Sequence, residues 1–229
     1  MRITQQLHDS KGRKMNMYLC TDEVNEFLFK EILNDTAIEY EMLEQELAKK
    51  IGVKTLPFLQ KIDLDNKKGL LMSFLQDSLL LCHSTAELNT NQKKELQKII
   101  LMDLLVGNKD RHAANLFINT HITAFDHDRL FIGKERKSSA FVKLEIGKKM
   151  DKQYIPKLEQ IIHKGNISTA TALLDYFEFD QKDIINIKSL SDQDFYFVVN
   201  SLQLDENRKM SILEFLKYRR DNFDSLRYA

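Results

Sequence analysis

Three side chains of this chain have the types and spacing that phosphoryl transfer needs. They lie in the run Gly107-Asn108-Lys109-Asp110-Arg111-His112-Ala113-Ala114-Asn115 and at the end of Ile122-Thr123-Ala124-Phe125-Asp126. A carboxylate at Asp110 can orient an attacking hydroxyl and accept its proton. The amide oxygen of Asn115 and the carboxylate of Asp126 are hard donors suited to a magnesium ion that bridges phosphates. As a turn aspartate and a capping asparagine, Asp110 and Asn115 would each be unremarkable alone. The interval between them, with an apolar strand end delivering Asp126, gives the set its meaning.

The five-residue step from Asp110 to Asn115 is that of the catalytic aspartate and asparagine of protein kinases. The order Asp110-Arg111-His112 inverts their His-Arg-Asp. In this the stretch resembles the phosphatidylinositol 3/4-kinase-related branch, including its small bacterial HipA-like protein kinases. There a helix ends in a Gly-Asn turn, Asp-Arg-His-x-x-Asn follows, and a short hairpin ends in an apolar residue before a metal-binding Asp. The resemblance implies a two-lobed α+β protein-kinase-like fold, ATP and Mg2+ as cofactors, and metal held by Asn115 and Asp126. It also implies that His112 acts near the transferred phosphate, with Arg111 in support; packing and hydrogen bonding alone is the alternative for His112. One departure opens the alternative of a pseudokinase: Asp128 stands where the family usually has glycine two residues after the metal Asp.

The elements that must position these groups are legible upstream. Met15, Met17 and Leu19 alternate with Asn16 and Tyr18, so a half-buried strand is expected, paired with Ile3 to Leu7 through the turn 8–13. A third strand runs from Glu26 to Ile32. On it Lys30 shares a face with Leu28 and Ile32, because side chains alternate with period two. A lysine in that company either snorkels from a strand end or reaches into a cleft, where a point charge with rotatable donors grips the phosphates of a nucleotide. Thr36-Ala37-Ile38-Glu39 has the form of a capping box, and apolar residues then recur at helical spacing until Gly52. An acidic residue of this helix is the natural partner of Lys30. Helical phase leaves Glu44 open, whereas alignment of Leu47-Ala48 with the HipA-like pattern selects Glu41. Leu56 to Leu64 and Leu70 to Leu75 should form a hairpin across residues 65–69.

The turn 8–13 occupies the place of a phosphate-covering loop but holds a single glycine and no Walker-type Gly-Lys-Ser/Thr. Ser10 is its candidate phosphate contact, with an exposed turn as the alternative. From Ser78 onward the pattern turns helical. Thr90 or Asn91 should cap a helix through Val106, with Leu96, Ile99, Ile100 and Leu104 inward and Gln92, Lys93 and Lys94 outward. Asp103 falls near the inward face, where a carboxylate needs hydrogen bonds, and is expected to brace the catalytic loop. A hairpin of Leu116 to Ile118 and Ile122 to Phe125 follows, and most of 152–227 reads as helix. The expected division is an N-lobe of residues 1–76 and a C-lobe of residues 77–229.

Composition bounds the partners. Of 229 residues, 43% are hydrophobic and 30% charged, ordinary for a globular protein, and 34 basic residues balance 34 acidic ones. No global field therefore draws the chain to nucleic acid or an anionic membrane. Cys20 and Cys82 do not suggest a disulfide scaffold, and no run approaches the roughly 18 apolar residues of a membrane span. A cytoplasmic protein without a signal peptide is expected, with delivery into a host cell as an effector left open. The HipA-like resemblance favours a Ser/Thr hydroxyl of a protein as acceptor, with a phosphoinositide lipid as the alternative. Zinc at His112, His121 and His127 is disfavoured, since no Cys-x-x-Cys or His-Glu-x-x-His accompanies them. Residues 134–141 occupy the place of an activation segment. Ser138 and Ser139 stand among basic residues that would pair with a phosphate, although a solvated loop is the simpler reading.

Overall fold

The computed structural model describes residues 1–8, 12, 14–75, 78–81, 84, 88–108, 115–125 and 179–224. Its first part is a five-stranded antiparallel sheet of β1 (Arg2–His8), β2 (Lys14–Thr21), β3 (Glu26–Glu31), β4 (Leu59–Leu64) and β5 (Lys67–Ser73), in the order β1-β2-β3-β5-β4. Helix α1 (Asp35–Ile51) connects β3 to the β4–β5 hairpin. The second part begins with β6 (Leu79–Leu80) and α2 (Thr90–Val106). It continues with β7 (Leu116–Ile118) and β8 (Ile122–Ala124), which join β6 in a small second sheet, and ends in α3 (Gln181–Lys188), α4 (Asp192–Asn200) and α5 (Glu206–Asp221). An antiparallel-sheet region thus precedes a helical one.

Apolar side chains cover both faces of the large sheet. On the face toward α1, Leu28, Ile32, Leu70 and Met72 pack with Ala37 and Ile38 of the helix, and with Leu56 and Phe125. On the other face Tyr18, Cys20, Phe29, Leu64 and Leu71 form a satellite core. Tyr18 is therefore only 7% exposed, against the half-buried alternation expected for β2, and it is Met15 that meets solvent. The Tyr18 hydroxyl donates to Glu31 at 2.9 Å, and the Lys67 ammonium lies over its ring while bonding the same carboxylate. Burial pushes the Cys20 thiol up to about 11, which disfavours its thiolate form.

Helix boundaries follow local chemistry, in places other than expected. The α1 cap is Asn34, whose side chain accepts from the Thr36 N–H, and Gly52 closes the helix in the left-handed conformation. Thr36 lies within the first turn rather than at the cap: its hydroxyl accepts from Arg208, and Glu39, its expected capping-box partner, accepts from Lys61 and the Gln203 N–H. At the β4–β5 hairpin the turn is the pair Asp65-Asn66, both with positive φ, the two-residue connection whose twist matches antiparallel strands. Lys67, Lys68 and Gly69 consequently belong to β5. The α2 cap is Asn89, in a capping box with Gln92. Gln92 is accordingly buried rather than outward, and its amide donates to the Asn119 carbonyl at 2.7 Å.

The largest core joins Leu43, Leu47, Ala48 and Ile51 of α1 to the inward residues of α2 and to Phe195, Val198, Val199, Phe215 and Leu216 of α4 and α5. Helix α1 is thus covered on both sides, by the sheet and by the C-terminal helices. Among the described residues no helix is long and apolar enough to cross a membrane.

Candidate active site

The sheet presents Lys30 to α1 at a defined height. Register aligns Met17, Lys30, Leu70 and Lys61 on one rung across β2, β3, β5 and β4, and partners on a rung share a face. Leu70, fully buried between the two lysines, packs in the same cluster as Ile38 of α1. The helix lies over that leucine with a glutamate reaching each lysine. Lys30 Nζ donates to Glu41 Oε1 at 3.0 Å, and Lys61 Nζ donates to Glu39 Oε1 at 2.8 Å. Of the two glutamates that helical phase leaves open, Glu41 is the one at Lys30. The pair is well shielded, with side-chain exposures of 15% and 4%. An ammonium and a carboxylate so placed fix each other's geometry, and removal of either would strand the other with its desolvation cost uncompensated.

The second part of the site is built around α2 and the β7–β8 hairpin. Gly107 ends α2 with positive φ, and the Gly107 and Asn108 N–H groups both return to the Asp103 carbonyl. The Asn108 side chain donates to Asp103 Oδ1 at 2.9 Å, and both residues are buried. Asp103 therefore braces the point from which residue 109 departs. From below, Arg219 of α5 donates to the Leu104 carbonyl and lies 5.3 Å over the Phe215 ring. Its guanidinium thus satisfies an end carbonyl of α2 and complements the negative pole of that helix.

Asn115 is 3% exposed and opens the hairpin. The backbone N–H of Phe125 donates to its carbonyl at 3.2 Å, one step beyond the Leu116–Ala124 pair. Phe125 stacks on Phe117 at 4.3 Å between centroids and packs in the same cluster as Leu28, Leu70 and Ile38. The hairpin end that carries Asn115 is thereby seated against the sheet face that carries Lys30. A backbone bridge between Thr55 and Ala124 adds a second tie to the segment after α1, and Gln45 of α1 holds that segment through the Leu56 carbonyl at 2.7 Å.

Ser10, Asp110, Arg111, His112, Asp126, His127, Asp128, Ser138 and Ser139 lie outside the described residues, as does Cys82. Of the sequence-derived set, the structure brings together Lys30 and Glu41, and sets Asn115 beside Phe125, the residue before Asp126. His121 is bound to Glu95 at 2.8 Å. Sequence reasoning missed Glu39, Lys61, Glu95 and Arg219, whose partners lie far away along the chain. Glu95 also accepts from the Ile122 N–H and pairs with Lys54, fixing the hairpin turn to α2. An isolated surface-type residue gives no signal of such a role.

Sheet order, the helix between β3 and β4, and the α2–hairpin unit together define a protein-kinase-like fold. The solved structure of the Helicobacter pylori proinflammatory kinase CtkA has this fold, with a TM-score of 0.62 over 99% of this chain and 94% of that one, at 12% identity. HipA from Shewanella oneidensis MR-1, solved with HipB and operator DNA, overlaps at a TM-score of 0.42 and 13% identity, covering 99% of this chain and 65% of that one. That likeness is too distant to carry weight by itself. No family model matches the chain, and no curated protein matches it in sequence.

Proposed function

We propose that this protein is an ATP- and magnesium-dependent kinase that transfers the γ-phosphate to a hydroxyl, most directly a Ser or Thr of a protein. The observation that carries the reading is the shielded Lys30–Glu41 pair on a sheet face that shares an apolar cluster with Phe125. A lysine fixed in this way on a kinase-like sheet is poised to neutralise nucleotide phosphates, while Asn115 and Phe125, the residue before Asp126 in the sequence, meet at one hairpin end. The nucleotide would lie between residues 1–76 and 77–229.

The donor set suits magnesium: a buried carboxamide and a carboxylate are hard oxygen ligands. Asn115 and Asp126 would hold the ion, which would supply neutralisation of phosphate charge. Lys30 grips the α- and β-phosphates and is itself oriented by Glu41. Ser10 contacts phosphate from the covering turn. Asp110 orients the acceptor hydroxyl and takes its proton as the new oxygen–phosphorus bond forms, while the bond to the β–γ bridging oxygen breaks and ADP departs. His112 stabilises charge on the transferred group. Electrostatic positioning carries most of this catalysis.

Acceptor class separates this reading from its alternatives. Radiolabel from γ-labelled ATP should enter protein in a generic-substrate or lysate mixture only when magnesium is present. Label confined to phosphoinositide vesicles would establish the lipid-kinase alternative, and label on no acceptor would leave a pseudokinase.

A further inference from the structure

The rung that carries Lys30 carries a second lysine with its own glutamate, and this second pair leads to the far end of the chain. Glu39 is 4% exposed. Its Oε1 accepts from Lys61 Nζ at 2.8 Å, and its Oε2 accepts from the backbone N–H of Gln203, in the α4–α5 connection, at 2.8 Å. Lys61 Nζ also donates to Gln203 Oε1 at 2.7 Å, which closes a triangle of helix, strand and C-terminal loop. Two further bonds tie the same elements: Arg208 of α5 donates to the Thr36 hydroxyl, and Lys50 of α1 pairs with Asp194 of α4 at 2.8 Å.

Glu39 and Glu41 lie two residues apart, about 200° around the helix axis, so they leave α1 on opposite flanks. One flank ends at the candidate phosphate lysine and the other at the C-terminal helices. With Leu70 beneath the helix between the two lysines, α1 cannot rotate about its axis or slide along it without breaking a shielded ion pair. Removing one member of such a network strands the others in a site of low solvent access.

We propose that Glu39 is a positioning residue: with Lys61 and the Gln203 loop it forms a latch that sets α1, and so couples the C-terminal helices to the geometry of the Lys30–Glu41 pair. The consequence for nucleotide rests on the kinase reading above, whereas the latch itself does not. Displacement of the 201–205 connection would release α1 and withdraw Glu41 from Lys30.

The test compares full-length wild type with Glu39→Gln, Lys61→Met, the double variant and Lys61→Arg. Amide exchange across 35–51, measured without nucleotide, should rise about tenfold in each single charge-removing variant, no further in the double variant, and little in Lys61→Arg, which keeps the charge. KM for Mg·ATP should rise about tenfold in the same variants, with kcat changed far less. Lys61 is partly solvent-exposed, so its variants remain informative if Glu39→Gln folds poorly. Unchanged α1 exchange in Lys61→Met, or kcat and KM effects that simply follow thermal stability, would overturn the latch. Absence of Mg·ATP binding in wild type would count against the kinase reading while the exchange result still decided the latch.

Discussion

Gly69 and Lys30 meet backbone to backbone: a Cβ on Gly69 would lie far closer to the Lys30 carbonyl oxygen than van der Waals contact allows. The obstacle is main chain of β3, held in register by β2 on one side and β5 on the other, so it cannot turn aside. Gly69→Ala should therefore part β3 from β5 and cost roughly 1–3 kcal/mol, the range for overpacking a buried site. Urea denaturation measures the loss. Because the distortion falls on Lys30 itself, Mg·ATP affinity should fall in the same variant. Wild-type stability and affinity in Gly69→Ala would show that the strand spacing at this rung is not critical.

The Lys30–Glu41 pair supplies a double-mutant cycle. Lys30→Met leaves a carboxylate shielded without its ammonium, and Glu41→Leu leaves the ammonium, so each single change should destabilise by about 3 kcal/mol. The double variant should regain most of that loss, since two apolar side chains replace two charges. Mg·ATP affinity should remain low in all three. Additive destabilisation in the double variant would mean that the two groups do not act as a unit.

Acid sensitivity should trace in part to Asp194. The Lys50 ammonium, followed by the hydroxyl and N–H of Ser191, holds its carboxyl well below the ordinary 3.8. A folded pKa below the unfolded one stabilises the fold above the unfolded value, and that contribution is lost as pH falls through the folded one. Asp194→Asn should thus be less stable than wild type at neutral pH. The gap should narrow below about pH 4. Thermal melts of both proteins across that range check it, and a constant gap would remove Asp194 from the account.

What the sequence showed and what it hid divide by range. Period-two alternation located β3 and the face of Lys30, Gly52 and Gly107 marked two helix ends, and an apolar pair of short runs gave the β7–β8 hairpin. Each is a property of adjacent residues. The misplacements came from competition at a distance. Thr36 and Glu39 form a capping box on paper, yet Glu39 is drawn to Lys61 and the Gln203 N–H, 164 residues away, and the cap moves to Asn34. Gln92 sits among polar residues but is turned inward by Asn89 and Asn119. Tyr18 looked outward until a second core formed on the outer sheet face. At the site, face and motif suggested Lys30 with Glu41, whereas the latch on the opposite flank of α1 depends on a loop that no local pattern links to it.

The central claim is that this chain moves a phosphoryl group, and Asp110 separates that from mere nucleotide binding. Wild type and Asp110→Ala should be assayed in the same samples for Mg·ATP affinity and for transfer of labelled γ-phosphate to protein. The account predicts comparable affinity, with transfer in the variant reduced by at least about a thousandfold. Transfer by Asp110→Ala at the wild-type rate, or none by wild type despite tight Mg·ATP binding, would contradict it.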